Sequence, residues 1–379
     1  MYRELLIDKK TQIDSLWKDE DEIWFVSRDE NILYKYIISS KKIICIGKVN
    51  NSIVDRELFY RVHPKCIGYK SKIVCIPDNG RTFAFYDKFT YKFSYLELSM
   101  DYDVRIDIGN YWIKDNILWC VSCRINRIIG VDLENEIIVF DGTMFDNTDF
   151  IIGSGAFLYK DKIYIVEINS NTIAVFDTIK YNFKYIDINT NEEGYNAIGV
   201  FDEEIYLTGK EKNIYKYNCN NKSIEIIKFD QSLFSLYDDS ANKINSGLSP
   251  IFQRVYKVGY YLVFLPWYYW DTTANSIVVL DTYNNKIKYY DIFKNISISH
   301  KRENNQYLFM SNAICDNIIT VYIDGCSEKN INLSNDKIWS DLNYIEETVC
   351  MDSFFNTVNI VQEKKEAKIK DYLKYIINS

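Results

Sequence analysis

The chain has 379 residues, a hydrophobic content of 47%, and a formal net charge of −8 from 45 basic and 53 acidic side chains. That much apolar side chain excludes a disordered polymer, since disorder needs low hydrophobicity. The charges are interspersed with no basic block, which excludes the electrostatic footprint of a nucleic-acid binder.

The first residues, MYRELLIDKKTQ, lack the long apolar core of a secretion signal. No apolar run approaches the roughly 18 residues that span a bilayer. A cytoplasmic chain without a membrane span is expected. Nine Cys are scattered along it, several inside apolar runs such as KKIICIG and KIVCIP. An odd number without a framework reads as reduced, buried thiols. Cys120 and Cys123 have C-x-x-C spacing, but no helix start and no second ligand pair accompany them. Neither a metal nor a redox role is expected there.

A weak repeat runs through the chain. Its unit is an apolar segment, a polar turn, a second apolar segment, a short loop, an alternating strand ending in Asp or Asn, a turn, and a last alternating strand. The second segment aligns best: DEDEIWFVS, KSKIVCI, KDNILWCVS, KDKIYIVEI, DEEIYLTG, VGYYLVFL and CDNIITVYI, anchored on Trp24, Val74, Trp119, Tyr164, Tyr206, Leu262 and Thr320. The anchors lie 50, 45, 45, 42, 56 and 58 residues apart. Periods of this size mark solenoids, propellers or arrays. Within a unit the alternation has period two, so the segments are strands with a buried face. Short polar turns such as LYKDKIY and DLENEI join them as hairpins. Helical periodicity is hardly seen before residue 340. Four-stranded units that bury both faces predict an all-β propeller, because radial stacking covers each sheet on both sides. Seven anchors predict seven blades, with six as the alternative.

Two lines, TIAVFDTIKYNFKYIDI and SIVVLDTYNNKIKYYDI, carry a resemblance. An apolar third strand ends in Asp, a turn follows, and Lys introduces the outer strand. This pattern resembles the blades of kelch-, NHL- and YncE-like bacterial propellers over roughly residues 12–335. The paired Gly of kelch repeats, the Gly-His and Trp-Asp signatures of WD40 and the aspartate box of sialidases are absent from the sequence. The resemblance therefore implies the fold and not an activity.

The propeller is expected over residues 1–340. The last copy is degraded, so residues 3–8 (RELLID) or 354–361 (FFNTVNIV) are expected to complete the final blade and remove its open edge. Residues 341–379 form an extension. Within it 363–377 reads as a helix with Ile369, Leu373 and Ile376 on one face, which packs on the propeller or docks a partner.

The candidate site follows from the repeat. Loops that precede the first strand of each unit, and loops between its second and third strands, share one end of the propeller. There the alignment places Lys65, Asn110, Arg254 and Asn312 at innermost strands, with His63 and Asn196 beside them. Loops after the second strands add Arg28, Arg81 and Arg124, a set with the geometry to fork a carboxylate or phosphate. The longest such loop belongs to the sixth unit and reads Pro266, Trp267, Tyr268, Tyr269, Trp270, Asp271. Loops this apolar usually touch something, and Trp, Tyr and Arg are the usual anchors of interfaces. A non-catalytic protein that binds a protein, peptide or glycan is the primary expectation. A lyase or hydrolase acting on a glycan or modified peptide is the alternative, with His63, Arg254, Tyr268 and Asp271 as its candidate groups. The chain has two His, no Gly-rich phosphate loop, no nucleophile elbow and no HExxH. No metal and no cofactor are expected.

Overall fold

The structure is a computed structural model. It describes residues 15–27, 31–40, 42–49, 62–99, 105–145, 155–192, 194–209, 213–228, 252–266, 268–269, 272–273, 276–291, 305–310, 318–323 and 345–349. Blade 1 is β1 (Leu16–Asp19), β2 (Glu22–Val26), β3 (Ile32–Ile37) and β4 (Lys42–Lys48). Blade 2 is β5 (Lys65–Tyr69), β6 (Lys72–Ile76), β7 (Thr82–Asp87) and β8 (Lys92–Glu97). Blade 3 is β9 (Ile108–Lys114), β10 (Ile117–Ser122), β11 (Arg127–Asp132) and β12 (Ile137–Thr143). Blade 4 is β13 (Ala156–Tyr159), β14 (Lys162–Glu167), β15 (Ser170–Asp177) and β16 (Asn182–Asp187). Blade 5 is β17 (Tyr195–Phe201), β18 (Glu204–Gly209), β19 (Ile214–Asn218) and β20 (Ile224–Ile227). In the sixth unit β21 (Phe252–Val258) and β22 (Tyr261–Pro266) are followed by a small ribbon, β23 (Tyr268–Tyr269) with β24 (Thr272–Thr273). Then β25 (Ser276–Asp281) and β26 (Ile287–Asp291) complete the blade.

Each of these six blades is a four-stranded antiparallel sheet. The fold is all-β and of the β-propeller type, and no helix occurs among the described residues. The seventh copy is a three-stranded sheet: β27 (Asn305–Met310) pairs antiparallel with β28 (Ile318–Ile323), and β29 (Ile345–Val349) pairs parallel with β28. The expected closing strands at 3–8 and 354–361 and the expected helix at 363–377 lie outside the described residues.

The chain divides into two compact units. Residues 1–104, 297–311 and 317–379 form one, with blades 1 and 2 and the three-stranded sheet. Residues 105–296 and 312–316 form the other, with blades 3 to 6.

The repeat in the sequence has a local physical cause. The first and second strands of every blade are joined by two residues, the first of them left-handed: Glu20, Lys70, Asp115, Lys160, Asp202 and Gly259, with φ between 48° and 58°. Only one is glycine, and the others are polar residues, three of them acidic. The Asp or Asn that ends the third strand is a turn-former. Oδ1 of Asp87, Asp132, Asp177, Asn218 and Asp281 accepts the N–H two residues on, at 2.8–3.0 Å. The residue after each of the first four then donates its N–H back to the second residue of the first turn, as Lys88 does to Ser71 O at 2.8 Å. This bond ties the two turns of a blade together. A left-handed residue follows in each case, Tyr91, Glu136, Tyr181, Lys222 or Asn285.

The anchors of the second strands, Trp24, Val74, Trp119, Tyr164, Tyr206 and Leu262, are all buried. The outer strands β8 and β16 are each half-buried at two positions and exposed at the other four. Cores form between successive blades. One holds Trp24, Cys66, Cys75 and Tyr86 from blades 1 and 2. Another holds Trp119, Ile165 and Phe176 from blades 3 and 4, and the largest joins blades 4, 5 and 6. The first two share a ladder of rings. Trp24, Tyr86, Phe93 and Tyr95 are spaced 5.9, 5.1 and 6.2 Å apart. Trp119, Phe176, Phe183 and Tyr185 are spaced 5.1, 4.9 and 6.3 Å apart.

Side chains also tie neighbouring blades at the first turns. Lys88 reaches Asp19 at 2.6 Å, Lys114 pairs with Asp161, and the Tyr159 hydroxyl donates to Asp202 at 3.0 Å.

Candidate functional site

Each blade has two ends. The starts of the first strands and the connections between second and third strands share one, the loop end. The two-residue turns share the other, the turn end.

At the loop end of blades 1 and 2 the polar residues are buried and bonded to each other. His63 precedes β5 and is 1% exposed. Its backbone N–H donates to Asn31 Oδ1 at 3.1 Å, and its Nδ1 lies 3.1 Å from the same oxygen. Its Nε2 lies 2.6 Å from the Thr82 carbonyl. Asn31 Nδ2 donates to Val49 O at 2.6 Å, so both ends of that amide are engaged by the backbone and its orientation is set. Burial holds the imidazole down, to about 4 from its usual 6.5, and outweighs the opposing pull of the Thr82 carbonyl. The ring is neutral at pH 7. With Nε2 protonated it donates to Thr82 O.

Lys65 starts β5, and its Nζ lies 2.6 Å from Asp78 Oδ1 in a pair almost wholly out of solvent. Asp78 is placed by its own N–H, which donates to Val62 O at 2.9 Å. Arg81 is buried in the same corner, just before β7. The structure thus brings His63, Lys65 and Arg81 into one corner, and adds Asn31, Asp78 and Thr82. Sequence reading had no reason to select these three. Asn31 is left-handed, with φ 57°.

The loop end of blades 3 to 5 carries a different set. Asn110 and Asn196 are buried on β9 and β17. Arg124 is exposed beyond β10. Glu167 and Glu192 are buried carboxylates at blades 4 and 5. Glu192 packs against Gly209, where an added Cβ would meet its carboxyl carbon at 2.6 Å. The Cys120 thiol is buried in β10, and the Cys123 thiol donates to Asp107 O at 3.1 Å. No group of three His, Cys, Asp or Glu is arranged to hold a metal among the described residues.

In blade 6, Arg254 lies on β21 opposite Leu265. Pro266 closes β22, paired with Phe252. Beyond it Tyr268 pairs with Thr273 and Tyr269 with Thr272 in the ribbon β23–β24. Trp267, Trp270, Asp271, Arg28 and Asn312 lie outside the described residues.

The turn end of blades 4 to 6 gathers side chains that sequence reading left as ordinary turns. Tyr159 and Phe201 close β13 and β17, and Lys257 is the second-last residue of β21. Lys257 Nζ lies 5.9 Å from the Tyr159 ring and 5.4 Å from the Phe201 ring. Tyr283 is 75% exposed, stands edge-on to Phe201 at 5.8 Å, and lies 5.0 Å from Tyr260. Tyr260 and Tyr261 share a hydroxyl hydrogen bond of 2.6 Å.

No protein-family model matches the chain, and no curated protein matches it. Solved structures do. A chain of the mitotic checkpoint complex is similar at 10% identity and a TM-score of 0.48, over 73% of this chain and 76% of that one. KlHsv2 with its loop 6CD replaced by a Gly-Ser linker is similar at 8% and 0.48, over 83% and 90%. BamB from Moraxella catarrhalis is similar at 9% and 0.45, over 73% and 76%. At these scores the likenesses carry no functional argument, and the assignment to the propeller type rests on the blades themselves.

Proposed function

We propose that the chain is a non-catalytic binding propeller that holds a protein, peptide or glycan at the loop end of its blades. The observation that carries this reading is the insertion in blade 6. Nine residues separate β22 from β25, against two to five between the second and third strands of the other blades. They are rich in Tyr and Trp and form a ribbon of their own. An insertion of this composition contributes nothing to the repeat and suits an interface anchor. The burial of His63 and Lys65 supports the same reading, because His63 is occupied in joining Asn31 of blade 1 to Thr82 of blade 2 and Lys65 is paired with Asp78 within blade 2. No cofactor enters this function. A cytoplasmic location fits the free thiols at Cys66, Cys75 and Cys120.

The test is affinity purification from the native cell with the wild-type chain and with Trp267→Ala and Trp270→Ala, alongside a glycan array probed with the same three proteins. A partner or glycan held by the wild type and lost by both variants is the expected result. Equal retention by both variants refutes the insertion as the binding surface.

A further inference from the structure

We infer that the turn end of blades 4 to 6 is a second interaction surface, which docks a peptide segment carrying an acidic side chain beside an apolar one. It is independent of the loop-end reading. Lys257 is the centre of the argument. The turns at this end carry several carboxylates, and three of them have partners of their own. Asp161 pairs with Lys114. Asp202 accepts the Tyr159 hydroxyl at 3.0 Å. Glu204 pairs with Lys216 at 3.0 Å and accepts from Tyr206 at 2.8 Å. Among the described residues Lys257 makes no ion pair, and its partners are the faces of Tyr159 and Phe201.

Lys257 is half-buried, and its ammonium lies against two rings that pre-orient it. That lowers the cost of meeting an incoming carboxylate. Lys160 Nζ also lies 5.0 Å from the Tyr159 ring, and lysines without an arginine fork suit a carboxylate better than a bidentate phosphate. The apolar half of the ligand has its own platform. Tyr283 stands exposed beside Tyr260 and Phe201 and is held from two sides by ring contacts. Tyr and Phe rings of this kind are enriched in interface cores.

The experiment uses the full chain. A random heptapeptide phage library is panned on it, enriched sequences are synthesised with a fluorescein label, and affinity is read by anisotropy. Enriched peptides are expected to carry Asp or Glu next to Phe, Leu or Trp. Lys257→Gln is expected to weaken them by about tenfold or more, the scale of one charge-assisted hydrogen bond. Lys257→Arg is expected to keep most of the affinity, Tyr283→Ala to weaken it, and Trp267→Ala to leave it unchanged. Replacing the peptide's acid by its amide should cost the wild type as much as Lys257→Gln does and cost Lys257→Gln nothing further. Melting temperatures check that the variants fold, and the amide peptide on wild-type protein tests the charge without any variant. No enrichment, enriched peptides without an acid, or equal binding to Lys257→Gln overturns the inference. Loss of binding in Trp267→Ala assigns the peptides to the loop end and likewise overturns it.

Discussion

Gly130 faces the anchor tryptophan of blade 3, and the contact predicts a non-additive pair of mutations. Gly130 on β11 is directly opposite Trp119 on β10. A Cβ built on Gly130 would meet three atoms of the indole at 2.7, 3.0 and 3.1 Å. The backbone there is not left-handed, so the cost of Gly130→Ala is steric and comes from one flat ring. Trp119 is 1% exposed and held by Phe140, Phe176 and Tyr181, so the ring has nowhere to swing. Overpacking of this kind costs about 1–3 kcal/mol. Trp119→Leu removes the clashing ring at a cost of about 3 kcal/mol, the low end of the range for truncation to Ala. With the ring gone, the added methyl of Gly130→Ala meets open space and partly fills it. The double variant is therefore expected to be more stable than the sum of the singles by about 1–3 kcal/mol, the usual scale of coupling for residues in contact. Urea unfolding of the four proteins, followed by tryptophan-independent circular dichroism, measures it. Additivity within about 0.5 kcal/mol refutes the claim that the indole is what excludes a side chain at position 130.

Lys65→Met alone leaves Asp78 charged and buried, and is expected to cost about 3–5 kcal/mol, while Lys65→Met with Asp78→Leu costs clearly less; equal costs in denaturant melts would show that the pair is not what matters. His63 is neutral when folded, and its pKa is lowered from 6.5 to about 4. The unfolded chain therefore takes up a proton first as pH falls. Stability from this group is fully present above pH 6.5, is lost between 6.5 and about 4, and is level below that, a span of roughly 3 kcal/mol. His63→Gln should flatten that part of the wild-type stability profile, and an unchanged slope would place the sensitivity in another group.

The blades were legible because their cause is local. A period-two strand with a buried Trp, Val, Tyr or Leu at its centre, a polar left-handed turn before it, and Asp at the end of the third strand are all readable in a single unit. The insertion of blade 6 was legible for the same reason, as a departure from that unit, although the ribbon Tyr268–Tyr269 with Thr272–Thr273 was not. Alternation of Thr and Tyr in so short a stretch has no periodicity to read. Residues 345–349 were assigned by sequence to the extension and instead pair with β28 in parallel. A parallel partner leaves no hairpin signal, because its connection carries no fixed turn chemistry.

The candidate site was legible as positions and not as interactions. The repeat places His63, Lys65 and Arg81 at one end of blade 2, since a repeat fixes where a residue stands along its blade. It says nothing about whether the side chain turns outward to a ligand or inward to Asn31, Asp78 and the Thr82 carbonyl. That choice depends on partners 13 to 32 residues away that no local pattern selects. The turn end shows the converse. Tyr159, Phe201, Lys257 and Tyr283 each sit in an unremarkable hairpin of a different blade, and only the packing of β13, β17 and β21 side by side brings them together. In a repeat fold such clusters are thus the ones that successive blades build jointly. A search for them is best made across blades at one end, asking of each charged group whether its neighbours already satisfy it. By that criterion His63 and Lys65 are already satisfied within the fold.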